Sequence, residues 1–174
     1  MVATYMNIPA MLMIALSVCM AWVVLSDAKR YIISNALNIV LIVIYIAGAI
    51  LLPIPTWLPD LGAAALVLVI GLGFFTLGLM GGGDIKLLVV LSLWTGWAVQ
   101  TLQFVFLTAI FGGLLVILVL LLRAIVAPIL FKMRPTHNLP RLLTRKQPIP
   151  YGIAIAAAFT WLLWTGSIAG LTVF

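Results

Sequence analysis

The sequence predicts an all-α membrane protein with six transmembrane helices and both termini on the outer face. Three observations carry this. Hydrophobic residues make up 66% of the 174 and charged residues 7%, against about 25% charged in soluble domains. The apolar residues fall into runs of about 20, the length that crosses a bilayer as a helix. Every Lys and Arg falls at or between alternate pairs of runs, the pattern of the positive-inside rule. The whole chain, 1–174, reads as a single polytopic domain.

The first span covers about Tyr5 to Leu25. Ser26-Asp27-Ala28-Lys29-Arg30 follows, and the second span covers about Ile33 to Leu52. Pro53, Pro55 and Pro59, with Trp57, form a short interfacial turn. The third span runs from about Leu61 to Met80. Gly81-Gly82-Gly83 then interrupt the apolar run, each costing roughly 1 kcal/mol relative to Ala in a helix interior. Asp84 stands where the N-cap of the fourth span belongs, and that span reaches about Val99. At 1.5 Å per residue its length is only about 24 Å, short of a hydrocarbon core of ~30 Å. Asp84 is therefore expected below the membrane surface, at the floor of a watery notch, where broken backbone is tolerated. The fifth span covers about Leu102 to Val126. A polar segment from Pro128 to Pro150 precedes the sixth span, Tyr151 to about Thr172. Gly71, Gly73, Gly78, Gly112 and Gly113 read as points of close helix packing.

The charges orient these spans. Lys29 and Arg30 lie between spans one and two, and Lys86 lies between three and four. Arg123, Lys132, Arg134, Arg141, Arg145 and Lys146 lie at or between five and six, which accounts for all nine cations. Those connections are cytoplasmic by the positive-inside rule. Anionic headgroups explain the net charge of +6 better than nucleic acid does. The same arithmetic sorts the acids, which are Asp27, Asp60 and Asp84. Asp27 and Asp84 share the cytoplasmic face. Asp60 falls outside, where it reads as a solvated loop residue. One buried Cys (Cys19), one loop His (His137) and scattered Asp make a metal site improbable in composition, and no cofactor is expected.

Two aspartates able to approach across a water are the minimum kit for aspartic proteolysis. At short range they share one proton. The ionised carboxyl takes a proton from water, and the protonated one polarises the scissile carbonyl. Glycines before Asp84 remove side chains from the approach of an extended substrate. Asp84 opens a helix, where the macrodipole favours negative charge, so it is expected to be the base. Asp27 closes one, where the dipole opposes negative charge, so it is expected to carry the proton. Lys86 reads as a snorkelling cation that marks topology, with tuning of Asp84 as the alternative. Asn35 and Asn38, one turn apart, either bond between helices or hold Asp27.

Gly81-Gly82-Gly83-Asp84-Ile85-Lys86-Leu87 resembles the GxGD motif of prepilin peptidases, the type IV leader peptidases. Asp27 followed by Ile33-Ser34-Asn35 is similar to that family's first motif, an Asp followed by Ile-Pro-Asn, with Ser34 in place of proline. Pro150-Tyr151-Gly152 is similar to an element that opens the family's last helix. The resemblance implies Asp27 and Asp84 as catalytic residues, with Gly81, Gly82, Gly83, Lys86 and Asn35 supporting them or the substrate. It implies a prepilin precursor as partner and cleavage at the cytoplasmic face of the bacterial inner membrane. Longer members carry a cytoplasmic insert with two Cys pairs, tied to N-methylation. Its absence here implies the short form that serves tight-adherence (Flp-type) pili, without methyltransferase activity. A rival reading is a small proton- or cation-coupled transporter using the same aspartates as a relay. That reading predicts repeated halves and mid-bilayer carboxylates, and the sequence has neither. A third is an assembly scaffold in which the aspartates only cap helices.

Overall fold

The computed structural model describes residues 2–52, 57–97, 99–133, 149–168 and 171. Among them are six helices, in the order α1 (Val2–Arg30), α2 (Asn35–Leu51), α3 (Trp57–Thr76), α4 (Gly82–Thr95), α5 (Val99–Met133) and α6 (Tyr151–Trp164). Three hold stretches long and apolar enough to cross a membrane: Ile8–Arg30, Trp57–Thr76 and Val99–Val126. The other three are shorter than the sequence suggested, and α4 and α6 have 14 residues each. That is about 21 Å of helix.

The two shortest helices are the centre. α4 packs on α2, α3, α5 and α6, and α6 packs on α1, α4 and α5. Leu87 and Leu91 of α4, and Ile155, Phe159 and Leu163 of α6, are wholly buried with Leu16 and Leu41. Phe104 of α5 meets Phe159 edge to face, with ring centroids 5.9 Å apart. On the outside, Ile14, Trp22, Val43, Val69, Phe106 and Leu114 are exposed. A bundle apolar on both its inner and outer surfaces is built for lipid, where packing rather than water exclusion holds helices together.

Several boundaries differ from the sequence reading, each for a local reason. α3 begins at Trp57, because Pro59 falls in the first turn, where its missing N–H costs nothing. Asp60 is therefore helical and not in a loop. α3 ends at Thr76. Leu79 N–H donates to Phe74 O at 2.9 Å around Gly78, whose φ is +68°. Gly78 is thus a turn residue and not a packing one. α5 continues through Pro128 to Met133. α6 stops at Trp164, closed by Ser167 N–H to Leu162 O at 3.1 Å around Gly166 at φ +68°. The chain then returns inward, burying Ile168 and Leu171. Pro53 and Pro55 of the expected turn lie outside the described residues, as do Arg134, His137, Arg141, Arg145 and Lys146 of the basic connection.

Candidate active site

At one end of the bundle a cavity of about 770 Å³ is lined by both Asp27 and Asp84, with Asn35, Gly81, Gly82, Gly83 and Lys86. All seven residues singled out from the sequence thus meet in one place. Arg123 of α5 also lines it.

Asp27 sits in the last turn of α1. Its backbone O accepts from Tyr31 N–H at 3.0 Å, and Tyr31 turns the chain with a φ of +55°. A left-handed tyrosine is uncommon, and such residues gather at sites that over-determine them. Ser26 Oγ reinforces the turn by donating to Ile32 O at 2.8 Å. Ser34 is then the N-cap of α2, its Oγ accepting from Leu37 N–H at 3.2 Å. This gives the serine at that position a local role as a cap.

The Asp27 side chain is 4% exposed, while Arg30 one turn on is exposed. The carboxylate faces the first turn of α6, where the Gly152 and Ile153 N–H groups donate to it. Gly152 N–H has no acceptor within its own helix, and Ile153 N–H is shared with Pro150 O at 3.3 Å. Oδ2 of Asp27 makes no hydrogen bond to the protein. A Cβ on Gly152 would lie 2.8 Å from that oxygen and 3.0 Å from Ile33 Cδ1. Only a glycine at 152 lets the carboxylate approach so closely.

Asp84 is not the N-cap. Gly81 is, and Asp84 is the third residue of the helix. Its carboxylate folds back to accept from Gly81 N–H, the reciprocal half of a capping box. A Cβ on Gly81 would sit 3.0 Å from Asp84 Oδ2. The Gly83 position faces Ile33, with a Cβ there 3.6 Å from Ile33 Cβ. Buried Ile33 therefore lies between the starts of α4, which bears Asp84, and α6, which receives Asp27. The charge of Asp27 acts on Asp84.

The expected electrostatic asymmetry of the two aspartates is not what the fold builds. Asp27 does close α1, but it also stands at the N-terminus of α6, as Asp84 stands at that of α4. Both receive helix N–H groups, so helix ends do not distinguish base from acid. Lys86 Nζ donates to Asn35 Oδ1 at 3.1 Å, tying the start of α4 to the start of α2 beside the cavity. Asn38 does neither of the things expected: its Nδ2 and Oδ1 are buried and unpartnered.

Asp60 departs furthest from expectation. It is 5% exposed and accepts from Tyr45 Oη at 2.7 Å and from Trp97 N–H. It lies at the other end of α4, roughly 18 Å along the helix from Asp84. Sequence reasoning also missed the Gly152 and Ile153 N–H groups and the place of Arg123. The Pro-Tyr-Gly opening of α6 was the available signal for the first, and none pointed to the second. Among the described residues no three His, Cys, Asp or Glu side chains group to hold a metal.

The family model of the type IV leader peptidases matches residues 14–118, the stretch that carries Asp27, Asn35, the glycines, Asp84 and Lys86. No curated protein and no solved structure matches the chain. With more than half its length matched by that model, the chain belongs to the type IV leader peptidase family.

Proposed function

We propose that this leader peptidase is an aspartic endopeptidase in which Asp27 and Asp84 share one proton and one attacking water. The observation that carries the reading is that the two acids line a single cavity in a chain of this family. Close carboxylates hold one negative charge between them. The ionised member takes a proton from water, whose oxygen attacks the scissile carbonyl. The protonated member gives its hydrogen to the carbonyl oxygen. Collapse of the tetrahedral intermediate breaks the C–N bond: the proton gained from water goes to the leaving amine, and the hydroxyl made from the carbonyl oxygen returns its proton to the other aspartate. The N–H groups of Gly152, Ile153 and Gly81 orient the carboxylates without supplying a second charge.

The substrate is the precursor of a type IV pilin of the Flp-like kind, and the product is not methylated. The chain has six spans in the bacterial inner membrane, its cavity faces the cytoplasm, and Lys29, Arg30 and Lys86 face anionic headgroups there. The protein acts as one domain with no metal and no cofactor. The deciding experiment uses the purified protein in vesicles with a synthetic precursor: a basic leader, a glycine at the junction and a 20-residue apolar segment. Wild type is expected to release the leader by cutting after the glycine. Asp27→Asn and Asp84→Asn are expected to insert normally and release none. Substantial release by either variant sinks the dyad, and proton-coupled solute uptake without cleavage identifies a transporter.

A further inference from the structure

A second concavity adjoins the first. It is a groove of about 610 Å³ between α3 and α5, floored by α4 and α6. Leu79, Met80 and Tyr151 line both it and the aspartate cavity. The two therefore adjoin along these residues, the aspartate cavity of mixed polarity and the groove almost wholly apolar. α3 and α5 both contain long apolar candidate spans, so the groove opens at membrane depth.

We infer that this groove seats the apolar helix of the substrate, on the side of the scissile bond that runs into the bilayer. The inference rests on the peptidase reading above and extends it. A polypeptide lying through both concavities must change from polar to apolar at the junction beside Tyr151. The glycines of the groove wall differ in what faces them. Two of them are filled by the bundle itself: a Cβ on Gly71 would meet Ile85 at 2.7 Å, and one on Gly112 would touch Tyr151 at 3.6 Å. Gly113 is different, because a Cβ there would meet nothing within 4 Å. A bare backbone facing open space allows a second helix to approach closely.

Thr108 supplies the independent sign that the occupant is a peptide. It lines the groove, is 8% exposed, and its Oγ1 has no hydrogen-bond partner. A helical threonine ordinarily bonds back to a carbonyl of the preceding turn. A hydrocarbon tail has no use for a hydroxyl. A peptide carbonyl or polar side chain does, and rotation about χ1 is the motion that would turn the hydroxyl toward it.

The test uses the full-length protein in vesicles with the synthetic precursor described above. A benzophenone amino acid at Ile117, in the groove, is irradiated in an Asp84→Asn background, which stops turnover. A control probe replaces Trp161 on the outer side of α6. Adducts to the precursor's apolar segment are expected at 117 in at least fivefold excess over 161. Adducts at 117 to lipid alone or to another copy of the chain, or equal yields at both positions, overturn the inference. In the otherwise wild-type protein, Gly113→Leu is expected to raise the precursor KM at least fivefold with kcat within twofold. An unchanged KM overturns it as well. The two readings fail separately. Wild type that binds precursor at 117 yet never cuts it refutes the peptidase mechanism. Wild type that cuts normally without contact at 117 refutes the groove.

Discussion

The two ends of α4 each hold a carboxylate against a helix start and a glycine, yet they are finished differently. At one end Asp60 has a tyrosine hydroxyl on Oδ2 and the Trp97 N–H as a second donor. Gly96, at φ +72°, lets it in, since a Cβ there would lie 2.9 Å from Oδ1. Tyr45 stacks edge-on against Trp94 at 5.4 Å and cannot swing away freely. At the other end Asp27 is as deeply buried, but Oδ2 is left without a protein partner and the site opens on a cavity. Burial alone does not separate a structural acid from a chemical one. What separates them is whether the protein completes the hydrogen bonding or leaves capacity for water and substrate. An acid completed on all sides is a fastener, and an acid left incomplete beside a cavity can act on something else.

The largest effect should come from removing the incomplete acids. Asp27→Asn and Asp84→Asn are each expected to lower kcat for precursor cleavage by at least ~100-fold, the lower end of what one acid–base group contributes. Combining them should add little, because the pair works as a unit. Cleavage assays on the two single variants and the double variant decide it, and multiplicative losses would separate the two roles.

Gly152→Ala comes next and probes the setting rather than the acid. The added Cβ would press on Asp27 Oδ2 at 2.8 Å and on Ile33 at 3.0 Å, so the carboxylate must shift. Misplacing a reacting group by about 1 Å can cost on the order of 100-fold. A loss of tenfold or more in kcat is expected, with normal insertion and little change in thermal midpoint. Wild-type turnover in that variant would show that Asp27 is not held as described.

The completed acid should answer in the opposite currency. Tyr45→Phe leaves a buried Asp60 oxygen unpaired, a loss of about 1–3 kcal/mol. The expected reading is a lower unfolding midpoint in detergent, with kcat of the folded fraction within twofold of wild type. Asp60→Asn should behave likewise, since the amide keeps an acceptor for Tyr45 but loses charge. A large fall in kcat without a fall in midpoint would make the two ends alike and break the comparison.

Much of this was legible in the sequence because the governing signals are local. Apolar run lengths gave six segments, and glycine followed by aspartate marked the start of α4. Alternating cation placement put Asp27 and Asp84 at the same end. What escaped depends on contacts between distant segments. Nothing near Asp27 announces that the Gly152 and Ile153 N–H groups will meet it, and that contact removes the argument from helix ends. Asp60 follows Pro59 in a proline-rich stretch, which reads as loop. Only the first-turn tolerance for proline and the reach of Tyr45 make it a buried helical residue. The ends of α6 escaped for a different reason. Gly166 ends the helix within an apolar run whose composition does not change.

The smallest effect is expected at the Lys86–Asn35 bond, which lies on the cavity rim and is solvent-accessible. If it only straps α4 to α2, Lys86→Met and Asn35→Ala should each slow cleavage by no more than a few-fold, because an exposed hydrogen bond exchanges readily with water. If that bond is the whole task of both side chains, the second substitution should cost almost nothing once the first is made. A double-mutant cycle on kcat/KM reads this directly. Independent, multiplicative losses would mean that at least one side chain has a separate task, and a Lys86 effect that shifts the pH profile would assign it to the charge of the aspartate pair. That outcome would move Lys86 from the frame of the cavity into its chemistry, and the comparison between the ends of α4 would then turn on a cation as well as on an unfilled oxygen.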